Sequence, residues 1–274
     1  MEIKANERKI RGVCIDLSGT LHIDDMATRN AAGGLRRLAA AGIQTRFVTN
    51  TTKEGRAVLS ARLAALSLPI EDTAIFSSLA AAAAVVKTRA LNPFLLLEPT
   101  ARSYFQNFIT DSDENSNYDS VVVGLAPSCF TYATLSRAMN ILLDAKTRGI
   151  SPALIAIHKG RYFQAKDGLA LGPGPFVAAL EYATGIEAEV VGKPEQAFFN
   201  LAVDDMKLSP SECVMIGDDI RDDIGGAMAV GMRGILVQTG KYRSGDETLY
   251  DAIKPTATVS DFSVAADLIL ANFF

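Results

Sequence analysis

An α/β fold, a Rossmann-like parallel-sheet core with an inserted smaller α/β cap domain, is predicted by three features of the sequence. Short β-branched runs alternate with stretches of helical period at both ends of the chain, which is the pattern of βαβ units. Polar residues recur where those runs stop. Between the two ends lies enough further strand and helix material for a second sheet. With 274 residues, 49% hydrophobic and 21% charged, the chain can bury a large core as one domain or two.

The first run, "GVCID", ends in a carboxylate and turns on Ser-Gly-Thr. It is followed by the helical "AAGGLRRLAAAG", the strand-like "IQTRFVTN" and the helical "KEGRAVLSARLAAL". The alternation returns near the C-terminus as "ECVMIGDD", "DDIGGAMAVGM", "RGILVQTG", "TATVSD" and a last helix through "SVAADLILANFF". These two ends are expected to form one core, residues 1–79 with 188–274. The middle runs "FLLLE", "YDSVVVGLA" and "PALIAIHKG", with the helical "TYATLSRAMNILLDAKTRG", form the insertion, residues 80–187. Within it, "TDSDENSN" has no apolar face to bury and reads as a solvated loop. The alanines 80–84 read as part of a helix packed close to its neighbours.

Composition excludes several classes. A formal net charge of -4 with dispersed Lys and Arg offers no basic stripe, so a nucleic-acid partner is not expected. No apolar run approaches the ~20 residues of a membrane span, and "MEIKANERKIRG" is too charged for a secretory leader, so no membrane partner and a cytoplasmic location are expected. Cys14, Cys129 and Cys213 have no metal-like spacing and read as reduced thiols. Two histidines, His22 and His158, cannot build a zinc site of the usual type.

In parallel α/β sheets, ligands collect beyond the carboxyl ends of the strands. Asp16, Thr49, Asn50, Asp218 and Asp219 stand at such ends, and Lys193 follows another β-branched run. Each type has a task in phosphoryl transfer, where the protein mainly positions groups and neutralises charge. A carboxylate can attack phosphorus. Mg²⁺ takes oxygen ligands and keeps several waters, so Asp16, Asp218 and the backbone carbonyl of Ser18 suffice as a protein contribution. The Thr49 hydroxyl and the Lys193 ammonium can neutralise phosphate oxygens. Gly19 lets the chain turn so that backbone N–H groups face the anion.

"DLSGT", "VTN", "GKP" and "GDDIRDDI" stand in the order and approximate spacing of the four motifs of the haloacid dehalogenase superfamily, which the chain resembles along nearly its whole length. The large insertion between the second and third motifs looks like the cap of its capped phosphatases. "DLSGTLH", "AIHKGRYFQAKDGLALGPGPFVAALEYATG" and "VMIGDDIRDDIGGA" more closely resemble two groups within it, the haloacid dehalogenase-like hydrolase domain-containing proteins and the phospholysine phosphohistidine inorganic pyrophosphate phosphatases. The resemblance implies Asp16 as nucleophile and Mg²⁺ ligand, Thr49 as phosphate binder and Lys193 as partner of both phosphate and nucleophile. It implies Asp218 as metal ligand and Asp223 as an acid holding a metal-bound water or Lys193. Asp219 and Asp222 would face solvent or the helix N-terminus, where negative charge is favourable.

One residue departs from the family pattern. The usual motif is Asp-x-Asp, whose second acid protonates the leaving group; here that place is Ser18. A lost general acid costs ~10²–10⁴ in rate, or about 3–5 kcal/mol. That cost is decisive for an alkyl phosphate and matters far less for P–N, pyrophosphate, acyl or aryl phosphate bonds. The expected activity is therefore a Mg²⁺-dependent phosphohydrolase biased to good leaving groups. The alternatives are an ordinary phosphomonoesterase that borrows His22 or a water as acid, and a phosphate-binding regulatory module with little turnover. A receiver domain has no place for the insertion, and "GLALGPG" opens no dinucleotide-binding turn.

Substrate choice is expected in "HKGRYFQAKDGLALGPGP", where His158, Lys159, Arg161 and Tyr162 offer donors and an aromatic face and the loop closes over the core site. Ser18, Gly19 and Asn50 complete the expected substrate contacts. The partner is a small phosphorylated molecule, and the resemblance suggests a homodimer formed through the cap.

Overall fold

A computed structural model describes residues 9–52, 54–106, 117–165 and 167–272. The acidic stretch 110–117 lies outside them except for its last residue. Strand β1 (Gly12–Ile15) is buried at every position. A central parallel strand is covered on both faces, which is why its sequence is a continuous apolar run rather than an alternating one. A two-stranded antiparallel ribbon, β2 (His22–Ile23) and β3 (Met26–Ala27), follows at once. Helix α1 (Ala31–Ala40) buries Ala31, Gly34, Leu35 and Leu38, the one-face spacing of a surface helix. It leads to β4 (Gln44–Thr49), α2 (Arg56–Ala65), β5 (Ile75–Ser77) and α3 (Ser78–Thr88).

The inserted segment contributes β6 (Pro93–Leu96), β7 (Ser120–Val123), α4 (Tyr132–Thr147) and β8 (Ala153–Ala156). A hairpin of β9 (Tyr162–Ala165) and β10 (Gly168–Leu171) follows, then α5 (Gly174–Thr184) and β11 (Glu189–Val190). The chain continues through α6 (Gln196–Asp205), β12 (Cys213–Gly217), a π-helical turn (Ile220–Gly225), α7 (Gly226–Ala229), β13 (Arg233–Val237), β14 (Ala257–Val259) and α8 (Phe262–Asn272).

Two main sheets result. The first has the order β14-β13-β12-β1-β4-β5, with β1 parallel to both β12 and β4. The second has the order β11-β8-β7-β6, parallel throughout. Alternate residues of the second sheet serve opposite faces, as strand geometry requires. Val122 and Ile155 pack with Leu79, Ala82, Ala83 and Val86 of α3, while Val121, Val123, Leu154 and Ala156 pack with Ala138, Leu142, Val177 and Leu180 of α4 and α5. The alanines 80–84 thus lie in a helix that sets Ala82 and Ala83 against the sheet and leaves Ala80 and Ala84 exposed.

The chain divides into two compact units. One comprises Met1–Thr49, Ser60–Phe76 and Lys193–Phe274; the other comprises Asn50–Leu59 and Ser77–Gly192. Asn50–Leu59 belongs with the second unit because Thr52, buried there, accepts the Leu125 N–H at 2.8 Å. The stretch after His158 is a hairpin rather than an open loop. Tyr162 pairs with Leu171 and Ala165 with Gly168, and Gly172 and Gly174 extend the pairing by donating to the carbonyls of Arg161 and Gly160. Among the described residues no helix is long and apolar enough to cross a membrane.

Candidate active site

Because β1 and β12 are paired with Ile15 opposite Ile216, the residues that follow them emerge side by side. Asp16 is one and Asp218 the second; the Asp16 N–H donates to the Ile216 carbonyl at 2.9 Å. Thr49 closes β4 on the other flank of β1 and is 1% exposed. Lys193 opens the last segment of the same unit, and its ammonium donates to Asp16 Oδ1 at 2.5 Å and to the Val48 carbonyl at 2.9 Å. It lies 2.6 Å from Asp223 Oδ1. One buried cation therefore ties together the ends of β1 and β4 and the π-helical turn after β12.

The electrostatics follow from burial. Desolvation alone would push the Lys193 ammonium toward neutrality, but the carboxylates of Asp16 and Asp223 reverse this and hold it above the ordinary lysine range. Asp218 is pushed well above the usual carboxylate range, first by burial and then by repulsion from Asp16 and Asp223, against the pull of Lys241. Asp223 is pushed up to about 7, again first by burial, with Asp16 and Asp219 adding to it and Lys193 opposing. Asp16, Asp218 and Asp223 each bring one oxygen within 4.8 Å of the others. Three crowded, dry carboxylate oxygens are hard donors whose mutual repulsion a dication relieves, so the set fits Mg²⁺.

Other predicted positions differ in their surroundings. Ser18 is exposed, and the Gly19 N–H donates to the His22 carbonyl at 2.7 Å. His22 is buried, with Nδ1 3.0 Å from the Asp24 carbonyl and 3.1 Å from Arg62 Nη1. Its ring thus faces Arg62 and the backbone of its own ribbon. Asp219 caps the turn by accepting from the N–H groups of Arg221 and Asp222, both at 3.0 Å. Asp222 does not face solvent: it is 2% exposed, because the turn is wound so that Ile224 N–H reaches back to the Asp219 carbonyl, five residues away. Burial, then Asp219, pushes it up to about 6.

Asn50, His158, Lys159 and Arg161 lie in the second unit. Lys159 gives its ammonium to both carboxylate oxygens of Glu181 on α5, at 2.8 and 2.9 Å. His158 Nδ1 accepts the Gly160 N–H at 3.2 Å, and the Arg161 guanidinium sits 5.4 Å from the centre of the Tyr162 ring.

Two sets of contacts were not foreseen. Thr20 is fully buried, with its hydroxyl 3.4 Å from Asp16 Oδ2. After β13, which pairs with β12, the Lys241 N–H donates to Asp218 Oδ2 at 2.6 Å, and Thr239 Oγ1 donates to the Gly19 carbonyl at 2.5 Å. The available signal was that "RGILVQTGK" is one more strand ending in polar residues on the same sheet.

Comparison with known proteins agrees with this geometry. A family profile described as haloacid dehalogenase-like hydrolase matches residues 13–108, and one described as HAD-hydrolase-like matches 190–265. The chain is 50% identical to haloacid dehalogenase-like hydrolase domain-containing protein 2 of Bos taurus, over 98% of this chain and 99% of that one. It is 37% identical to phospholysine phosphohistidine inorganic pyrophosphate phosphatase of Homo sapiens, over 96% and 95%. In fold it is similar to the crystal structure of a 4-nitrophenylphosphatase from Thermotoga maritima, with a TM-score of 0.83, 23% identity and coverage of 95% and 97%. The shared motifs, the buried acid cluster and full-length identity of this size place the chain in the haloacid dehalogenase-like hydrolases.

Proposed function

We propose that the protein is a phosphatase that cleaves small phosphorylated substrates through an aspartyl phosphate on Asp16 and favours bonds whose leaving group needs no proton. The observation that carries this reading is the Lys193 ammonium held between Asp16 and Asp223 in a dry site. It fixes one of the Asp16 carboxylate oxygens. A carboxylate oxygen attacks phosphorus as the bond to the leaving group breaks and the electron pair departs with that group. Water then attacks the phosphorus of the aspartyl phosphate as its P–O bond to Asp16 breaks, and the water's protons leave with the released phosphate, which restores Asp16. Thr49, Lys193 and the backbone beyond Gly19 bear the charge on the phosphate oxygens. Asp16, Asp218 and the Ser18 carbonyl, with Asp223 behind them, would hold Mg²⁺, which when bound would supply charge neutralisation on the transferred group.

Ser18 has no proton to give near neutral pH, and His22 is taken up by Arg62 and the Asp24 carbonyl. Both facts favour P–N, anhydride, acyl and aryl phosphates over alkyl esters. The names of relatives point the same way: one is named for phospholysine, phosphohistidine and pyrophosphate, and a structural neighbour for 4-nitrophenyl phosphate. In the second unit, Asn50, His158, Lys159 and Arg161 read the remainder of the substrate. Lys159 enters this role with its charge already offset by Glu181. The free cysteines suit the cytoplasm, and pairing of two copies through the inserted unit completes the reading, to be checked by light scattering.

The test is phosphate release with Mg²⁺ for the wild type and Asp16→Asn. The panel is phosphohistidine, pyrophosphate, acetyl phosphate, p-nitrophenyl phosphate and a set of sugar and nucleotide monophosphates. The expected result is turnover of the first four, lost in the variant, with alkyl esters slower by ~10²–10⁴. Equal turnover of alkyl esters overturns the leaving-group bias, and absence of all turnover leaves only a binding role.

A further inference from the structure

We propose that the turn Thr239–Gly240–Lys241 is a clamp that sets the spacing of the metal ligands, holding the Asp218 carboxylate and the Ser18–Gly19 turn against one another. This rests on the metal site of the proposed function and assigns new positioning residues to it.

The turn makes two contacts with the acid cluster and one with the Ser18–Gly19 turn. Thr239 Oγ1 donates to the Gly19 carbonyl at 2.5 Å, the Lys241 N–H donates to Asp218 Oδ2 at 2.6 Å, and Lys241 Nζ reaches Asp219 Oδ2 at 3.2 Å. Gly19 is thereby fixed on both sides, since its own N–H donates to the His22 carbonyl at 2.7 Å. In a planar trans peptide the C=O and N–H point in opposite directions. The bond from Gly19 N–H to His22 therefore aims the Ser18 carbonyl away from His22, and the Thr239 bond fixes the next peptide.

The fit leaves no room for a side chain at the centre. A Cβ on Gly240 would stand 2.1 Å from Asp218 Oδ2 and 2.5 Å from Gly19 Cα, and one on Gly19 would stand 2.0 Å from the same Asp218 oxygen. Both glycines have positive φ, +54° and +95°. Two left-handed glycines thus meet across one carboxylate. Thr239 and Lys241 bear on a metal ligand set from outside it, and loss of such outer partners weakens metal binding by ~10–100-fold.

The experiment measures Mn²⁺ binding to the metal-free full-length protein by the electron paramagnetic resonance of the free ion, beside the thermal midpoint without metal. Thr239→Val is expected to raise the Mn²⁺ Kd by about tenfold or more while Thr239→Ser restores it, with both metal-free midpoints near that of the wild type. Lys241→Met keeps the backbone N–H to Asp218 and takes a cation away from the acid cluster, so the Kd is not expected to rise. An unchanged Kd in Thr239→Val, no rescue by Ser, or a loss in Lys241→Met as large as that in Thr239→Val overturns the clamp. Asp218→Asn separates the two readings. If it binds Mn²⁺ as the wild type does, or the wild type binds none, the metal site itself fails and the clamp falls with it.

Discussion

Lys193 is 2% exposed and has carboxylate oxygens at 2.5 and 2.6 Å, so its positive charge is what allows Asp16 and Asp223 to share one dry site. Removing one partner of a buried ion pair leaves an uncompensated charge and costs about 3–5 kcal/mol. Lys193→Met is expected to lose stability of that order in urea unfolding. Lys193→Arg does not recover it, since a planar fork cannot reproduce a compact ammonium bonded to two carboxylates and the Val48 carbonyl. Recovery by Arg would show that charge alone matters. A second expectation concerns His22, whose ring faces Arg62 and the Asp24 carbonyl: His22→Gln should leave the pH–rate profile unchanged, and loss of a limb would restore it as a proton donor. Strand-end residues such as Asp16, Lys193 and Asp218 were legible because their chemistry resides in the side chain. Lys241 was not, because what it gives Asp218 is a backbone N–H, which every residue except proline carries. Of the two settings implied for Asp222, solvent or the helix N-terminus, it takes the second, and the π-wound turn that buries it there is not foreseeable from helical periodicity.

At the scale of elements, α5 is tied to its unit by Glu181. This carboxylate accepts from Lys159 at 2.8 and 2.9 Å and from the Ala188 N–H at 2.9 Å, so one side chain joins the helix to the segments on either side of it. Burial opposes its ionisation, but Lys159 and the Ala188 N–H outweigh that and hold its pKa below the ordinary value. A depressed folded pKa stabilises above the unfolded value, roughly 4.3, and the contribution is lost as pH falls through the folded one. Glu181→Gln is therefore expected to cost about 1–2 kcal/mol at pH 7 and much less near pH 3. Urea unfolding of both proteins at the two pH values checks it, and a pH-independent gap would mean that the carboxylate's charge is not the agent. The same unit holds a hairpin where the sequence reads as a loop. The four residues between "YFQ" and "LAL", one of them a glycine, are a hairpin signal of the looser kind. The alternating strands and helices of both sheets, by contrast, were plain in the periodicity.

For the whole molecule, the βαβ alternation foretold a parallel-sheet core and an inserted smaller α/β unit. It could not foretell that Asn50–Leu59 groups with the inserted unit, because that follows from a bond between Thr52 and Leu125, far apart in sequence. Neither could it reveal that the ends of four segments converge on a cluster with more acid than base. Asp16, Asp218, Asp219, Asp222 and Asp223 gather around Lys193 and Lys241, and burial raises the pKa of Asp218, Asp222 and Asp223. Folding therefore brings carboxylates together at a cost that a bound dication offsets, and a ligand that binds only the folded chain stabilises it by mass action. At a Mg²⁺ concentration of 100 times Kd the gain is about 2.7 kcal/mol. The thermal midpoint should accordingly rise as Mg²⁺ is added to chelator-treated protein and fall back when the metal is removed. In Asp218→Asn the rise should be lost, while the metal-free midpoint holds or increases because a crowded charge has gone. If the variant instead retained the full Mg²⁺ response, the ion would be acting elsewhere on the surface, and the three-carboxylate cluster would have to be stabilised by Lys193 and Lys241 alone.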